Sequence, residues 1–369
     1  MTWATHHAES ERLAIAAQLA SRARDTDGAL DLYRQAAKAE RLALDLLDSS
    51  KARTRGITAV SAVALWFKAA EYTLAEQLAH SVLADSDLPE FARQELRHLV
   101  QAIWTESTKQ EAGVTFLPGQ VLVSVKGGEI VTGGAPLDLV VDKVQTIQAL
   151  FFRTIEFLNG VVHRRAGRPA KELQDACRPW LFQSAPGSYQ FSVAIQKPTQ
   201  PDFFKQDIEP DRLAHHFLEI VRASSGDSGA ELAKLVPDET YRATFLKLAR
   251  NLAPTGKTFE RIELRTSGEV RPVALVAQSR VDINERLRLA SNVVRPTDGD
   301  PEELRGTLRA VHLDKDWLEV VVNGEPVHVE GLEDAVDDVV GPMVNRPVLV
   351  RAVRTSKTKL RFLDIELAD

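Results

Sequence analysis

The chain has 369 residues and sets 46 Lys and Arg against 52 Asp and Glu, a net charge of −6. Hydrophobic residues make up 44% and charged residues 27%, which is enough apolar material for two or three cores and excludes disordered, collagen-like and disulfide-framework chains. The one cysteine, Cys177, excludes an internal disulfide and a cysteine-built zinc or iron–sulfur site, and the mildly acidic balance gives no global field for nucleic acid or anionic membrane.

Residues up to about 110 are rich in Ala, Leu, Arg and Glu, with proline only at Pro89. Apolar side chains recur at three- and four-residue spacing through Ala29, Leu32, Tyr33, Ala36, Leu42 and Leu46, then Leu65, Leu74, Leu78 and Val82. That is the period of amphipathic helices. Breaks at 25–28, 48–50, 70–71 and 85–89 offer Asp and Ser as N-caps and Pro89 for a first turn. Four or five helices joined by short turns are predicted.

Two stretches of this region share a pattern. In the first, Ala29 is followed by Tyr33 and Ala36; in the second, Phe67 and Tyr72 precede Ala75. A small residue between paired helices with such aromatics around it resembles the tetratricopeptide repeat, over about the first 100 residues. The resemblance implies a helical surface that binds a protein partner. The second stretch departs from the family: Ala29 and Ala75 stand 46 residues apart, against a repeat of about 34, and Ala79 takes the place of the second aromatic. An unrelated helical bundle fits the same spacing.

From about Glu111 the texture changes. Val121–Lys126 reads as a strand, Gly127 and Gly128 as a hairpin turn, and 129–132 as the partner strand. A long helix over 137–159 carries Val140, Val144, Ile147, Phe151, Ile155 and Leu158 on one face and closes at Asn159 and Gly160. After Pro186 and Gly187, residues 188–195 alternate strictly, with Tyr189, Phe191, Val193 and Ile195 on one side. Helices at about 210–223 and 238–252, and strands at about 258–266 and 271–278, complete an α+β domain over 111–291. Residues 292–304, with Pro296, Asp298, Gly299, Asp300 and Pro301, read as a linker. Beyond it, three strands (306–313, 317–322, 327–329), a helix near 332–340 and two strands (348–354, 360–367) give the order of an OB-type barrel over 305–369. An SH3-like barrel fits as well. The expected fold class is therefore multidomain α+β: a tetratricopeptide-like helical domain over 1–110, a central α+β domain and a small C-terminal β-barrel.

Motifs that suggest catalysis fail on context. Pro254-Thr255-Gly256-Lys257-Thr258 ends like a Walker A loop, yet Asn251 stands where its first glycine belongs, a helix precedes and a strand follows. A phosphate cradle needs the reverse order. Gly226-Asp227-Ser228-Gly229 shares letters with the nucleophile segment of trypsin-like proteases but lies between helices, without the family's histidine setting. His6-His7 and His215-His216 are adjacent pairs, and helix neighbours point about 100° apart, so they do not chelate one ion. Cys177 has basic company in Arg178, yet a lone cysteine near a helix end reads as a packing residue. No catalytic residue, metal ligand or cofactor site is predicted.

Two basic clusters remain. Arg164, Arg165, Arg168 and Lys171 follow the long helix; Arg346, Arg351, Arg354, Lys357, Lys359 and Arg361 lie in the last two strands, beside an acidic helix with Glu333, Asp334, Asp337 and Asp338. Internal pairing is one reading of these charges. Contact with nucleic-acid phosphates is the other, with Trp317 and Phe362 as the stacking candidates. No run of about 18 apolar residues marks a membrane span, and the first residues lack the basic and apolar regions of a secretory signal, so a cytoplasmic protein with no membrane partner is expected. The leading expectation is a non-catalytic adaptor or regulatory subunit that binds a protein partner through the helical domain, as part of a multiprotein stress-response or defence system. The alternative is a nucleic-acid-binding protein using the barrel and the 163–171 loop; the third is an enzyme in the central domain.

Overall fold

The helical periodicity of the first hundred residues becomes five helices: α1 (Trp3–Arg22), α2 (Thr26–Asp45), α3 (Ala52–Lys68), α4 (Tyr72–Leu83) and α5 (Glu90–Glu111). The Asp25 carboxylate caps α2 by accepting from Gly28 N at 3.0 Å, and Ala70 ends α3 in the left-handed region at φ 57°. Small residues let these helices approach closely: Ala17, Ala36, Ala59, Ala62, Ala75, Ala79 and Ala92 are fully buried, with Leu96 and Ile103 filling the space between them. Ala29 and Tyr33 are buried in the same unit, while Phe67 and Tyr72 are half-buried with ring centroids 5.7 Å apart. The computed structural model describes residues 2–111, 116–117, 119–131, 134–183, 189–200, 203–204, 212–226, 229–266, 272–294, 301–332, 336–356 and 359–368. The chain forms two compact units, residues 1–115 with 182–187, and residues 116–181 with 188–369.

In the second unit, β1 (Val121–Lys126) is followed by α6 (Leu137–Leu158), α7 (Lys171–Ala176), β2 (Pro179–Gln183), β3 (Gln190–Ile195), α8 (Leu213–Ser225), α9 (Gly229–Leu235), α10 (Glu239–Leu252), β4 (Arg261–Thr266), β5 (Val273–Val276) and α11 (Ala277–Val294). The strands lie in the order β2-β3-β1-β4-β5, with β1 antiparallel to β3 and β4, and β4 antiparallel to β5. Val121, Val123 and Val125 of β1 meet Ile147, Phe151 and Ile155 of α6 and Phe217 of α8 in one core. Phe151 stacks on Phe217 at 4.2 Å and 11°.

Several expectations need correction. Residues 129–131 do not pair with β1, whose neighbours are β3 and β4. Gly127 and Gly128, at φ 77° and 65°, turn the chain against the segment before β4: Glu129 N donates to Thr258 O, and Glu260 N to Lys126 O. A Cβ on Gly128 would fall 2.4 Å from Thr258 O. The alternation in β3 does not leave a solvent face, because Ser192 and Ala194 are also buried. The 18-residue α11 begins in the expected strand end, fills 279–291, where no element was expected, and enters the expected linker; α9 and β2 were not expected either, whereas α7 is the short helix that ends at Cys177. Of the expected linker 292–304, residues 292–294 complete α11 and 301–304 open a strand; Pro296, Asp298, Gly299 and Asp300 lie outside the described residues, as do Asp227, Ser228, Pro186 and Gly187.

The last five strands are β6 (Pro301–His312), β7 (Trp317–Val322), β8 (Glu325–Glu330), β9 (Pro347–Arg354) and β10 (Leu360–Leu367), with α12 (Asp337–Val340) between β8 and β9. They close on themselves in the circuit β10-β8-β7-β6-β9. The β8–β10 pair is parallel; the other pairs are antiparallel. Long β6 serves two neighbours, β9 through 301–307 and β7 through 307–312, and its register shifts between Leu308 and Ala310. The cores of the two sheets are continuous. Phe151→Ala should therefore destabilise the protein by about 3–5 kcal/mol, the usual cost of emptying a buried aromatic site, read as a shift in the urea unfolding midpoint. A loss under about 1 kcal/mol would show that this face is not core.

Candidate functional site

Most of the basic residues singled out above face acids inside their own unit. Arg153, on α6 and with no solvent exposure, donates from Nε to Asp338 of α12 at 2.6 Å. Arg164 donates to Glu156 at 2.7 Å and to the same Asp338 at 2.8 Å. Arg165 reaches Asp316 Oδ1 and Leu332 O, each at 2.7 Å. A second set meets β10: fully buried Arg250 pairs with Asp364 and donates to Ile365 O at 2.6 Å, and Arg280 donates to Glu366 and to Leu367 O, each at 3.0 Å. Arg354 holds Glu302 at 2.6 Å and Lys359 lies 3.6 Å from Glu330. Arg351 is half-buried near Asp364, Glu303 and Glu366. Arg168 and Lys171 are exposed. Lys357 lies outside the described residues, as do Glu333 and Asp334.

These pairings set the electrostatics. Burial raises the Asp364 carboxyl, but Arg250 and Lys247 outweigh it and hold its pKa below the ordinary aspartate value. Asp142 follows the same logic, with Lys143 and Arg346 overcoming burial. Burial pushes Lys143 down, its ammonium donating to Asn251 O at 2.6 Å. Burial, reinforced by Arg153, pushes His163 down to about 4, so the ring is neutral near pH 7 where it meets Thr244 Oγ1 at 2.9 Å. Burial alone pushes the Cys177 thiol up to about 12, which makes it a packing group rather than a nucleophile. Gly256, at φ 94°, turns α10 toward β4, as a helix-to-strand connection requires. His215 and His216 both flank Glu219, at 3.2 and 3.4 Å.

The site with room for a ligand lies on the outer face of the closed sheet. A groove of about 360 Å³ is lined by Lys315, Asp316, Trp317, His328, Glu330, Gly331, Thr355, Leu360 and Arg361. Strand alternation builds it: Leu318, Val320, Val329, Leu360 and Phe362 point inward and are buried, so Trp317, His328, Glu330 and Arg361 point outward. Register then aligns them, because Trp317 stands opposite Glu330 across β7–β8 and Arg361 beside Glu330 across β8–β10. Trp317 has two tilted ring neighbours, His328 at 5.0 Å and 33° and His312 at 5.9 Å and 43°. Gly331, at φ 82°, donates to Asp316 O at 2.9 Å; a Cβ there would stand 2.9 Å from Arg361 Cγ, so the glycine lets the arginine stem lie across the turn. Of the two expected stacking residues, Trp317 lines the groove and Phe362 is core. Lys315, His328 and Thr355 were not singled out: the parallel β8–β10 pairing is what sets Arg361 and the adjoining Thr355 hairpin beside the β7–β8 pair that carries Lys315 and His328. Among the described residues no group of three or more metal-ligating side chains could hold an ion.

Compared with protein-family models, curated proteins and solved structures, the chain matches none.

The buried ion pairs carry a stability prediction. Asp364→Asn should cost about 3–5 kcal/mol by leaving Arg250 without its counter-charge. Because the folded-state pKa of Asp364 lies below its unfolded value, the contribution is complete above the ordinary aspartate range and is lost as pH falls through the lowered value. Urea midpoints of variant and parent should differ most at pH 7 and converge in acid; a constant difference from pH 7 to pH 2 would refute the linkage.

Proposed function

We propose that this chain is a non-catalytic adaptor whose N-terminal helical unit holds a protein partner. The observation that carries this reading is a pair of exposed apolar side chains where two helices adjoin, in a unit that has its own core. Ile57 on α3 and Phe91 on α5 are both exposed, Arg53 lies over the Phe91 ring at 5.8 Å, and α3 and α5 approach so closely at Gly56 that a Cβ there would stand 3.0 Å from Ala92 Cβ. Exposed apolar side chains grouped on one face and rimmed by charge are the usual mark of a protein contact. The buried Ala29, Tyr33, Ala36 and Ala75, with the Phe67–Tyr72 contact, support a tetratricopeptide-like packing of these helices. For the C-terminal sheet, the strand circuit with its parallel closure supports the OB-type barrel over the SH3-like one.

Capture experiments with the full chain test the adaptor reading. The parent should retain a protein in stoichiometric amount, and Ile57→Glu or Phe91→Glu should lower capture at least tenfold with an unchanged far-UV circular dichroism spectrum. Equal capture by parent and both variants would sink this surface as the partner site.

A further inference from the structure

We propose that the groove on the C-terminal sheet binds single-stranded nucleic acid, with a base stacked on Trp317 and backbone phosphates held by Lys315 and Arg361. The inference stands apart from the adaptor reading, since it uses none of the helical unit.

The groove supplies a planar platform and cations in one place. Trp317 lines it with His328 alongside at 5.0 Å, and an unpaired base offers the π-face such a platform takes up, whatever its identity. The charges of the lining do not cancel evenly. Asp316 is occupied by Arg165 at 2.7 Å and Glu330 lies 3.6 Å from Lys359. Among the described residues neither Lys315 nor Arg361 makes an ion pair, and Arg361 Nε is buried without a hydrogen-bond partner. Glu330 stands beside Arg361 across β8–β10 but pairs with Lys359 instead, and a guanidinium without an ion pair gains from an arriving anion more than one already paired.

The two unpaired cations of the groove come from different elements, Lys315 from the turn before β7 and Arg361 from β10. A single anionic group needs one of them; a chain of regularly spaced phosphates can use both. Lys315 and Asp316, in the turn before β7, and Thr355, after β9, border the groove. Thr355, His312 and His328 supply hydrogen-bonding groups for base edges. The helical repeat of a duplex, by contrast, would keep its bases away from Trp317.

Fluorescence anisotropy of the full chain with labelled 15-nucleotide dT and U strands tests this. Binding is expected at 50 mM NaCl, weakening at 200 mM with a log–log slope near that for two phosphates, about 0.7 each for a single strand. Trp317→Ala should weaken binding at least tenfold. Lys315→Glu, in an exposed turn where folding is not at stake, should weaken it similarly and reduce the salt slope. Arg168→Glu and Lys171→Glu, outside the groove, should leave affinity unchanged. Failure to bind at 50 mM NaCl would overturn the proposal, as would affinity indifferent to both Trp317→Ala and Lys315→Glu. So would dTMP binding as tightly as the 15-mer, or polyglutamate competing as well as an unlabelled strand, since either would mean that the groove selects a lone nucleotide or any polyanion.

Discussion

Two arginines with no solvent exposure fix how the second unit is built. Moving a guanidinium out of water costs several kcal/mol even after relaxation, so Arg153 and Arg250 tolerate burial only with a carboxylate and further acceptors at close range. Their own helices do not supply enough. Arg153 finds Asp338 on α12, and Arg250 finds Asp364 and Ile365 O on β10. The closed sheet thus supplies carboxylates that the helices lack, although Arg153 Nη1 and Nη2 and Arg250 Nε stay buried without a hydrogen-bond partner, and the two halves of the unit depend on each other electrostatically as well as through their shared core. Arg280, bound to Glu366 and Leu367 O, extends the same logic along β10 and ties down its end.

This arrangement reassigns the basic residues of the chain. A run such as Arg346 to Arg361 looks in sequence like a patch awaiting phosphates. In the fold, Arg346 goes to Asp142, Arg354 to Glu302 and Lys359 toward Glu330, while the Arg164–Arg165 loop feeds the acidic helix and the Asp316 turn. The 163–171 loop is chiefly a connector. Among the described residues that line the groove, Lys315 and Arg361 make no ion pair, and of the two only Arg361 belongs to the run that charge density picks out.

How much of this is legible without coordinates follows from the range of each interaction. The five N-terminal helices and α6 read directly, because periodicity and capping are local and Asp25, Ala70, Pro89 and Gly160 sit at their ends. The strands of the last sheet read nearly as well, their turns fixed by Asn323 and Gly324 at φ 53° and 88°. By contrast α11 is mixed in charge and weakly amphipathic, since Arg280 and Asn284 face inward to bind carboxylates and carbonyls; a buried polar face resembles an exposed one in sequence. The turn at Gly127 and Gly128 suits a hairpin locally, and only the pairing of β1 with β4, more than a hundred residues away, decides otherwise. The groove is the extreme case: the β7–β8 hairpin brings Trp317 and His328 together, but Arg361 joins them through a parallel register that no local signal encodes.

The closed circuit of the C-terminal sheet has one more effect. Every strand there has two neighbours, the ring being closed at Leu360–Val329 and Arg361–Glu330, so another chain meets no strand that lacks a partner along its whole length. Recognition on its outer face is therefore written chiefly in side chains. Such a surface can change its ligand by a few outward-facing substitutions at no cost to the ladder beneath, and a destabilised copy cannot recruit others through strand addition until the ring itself has opened.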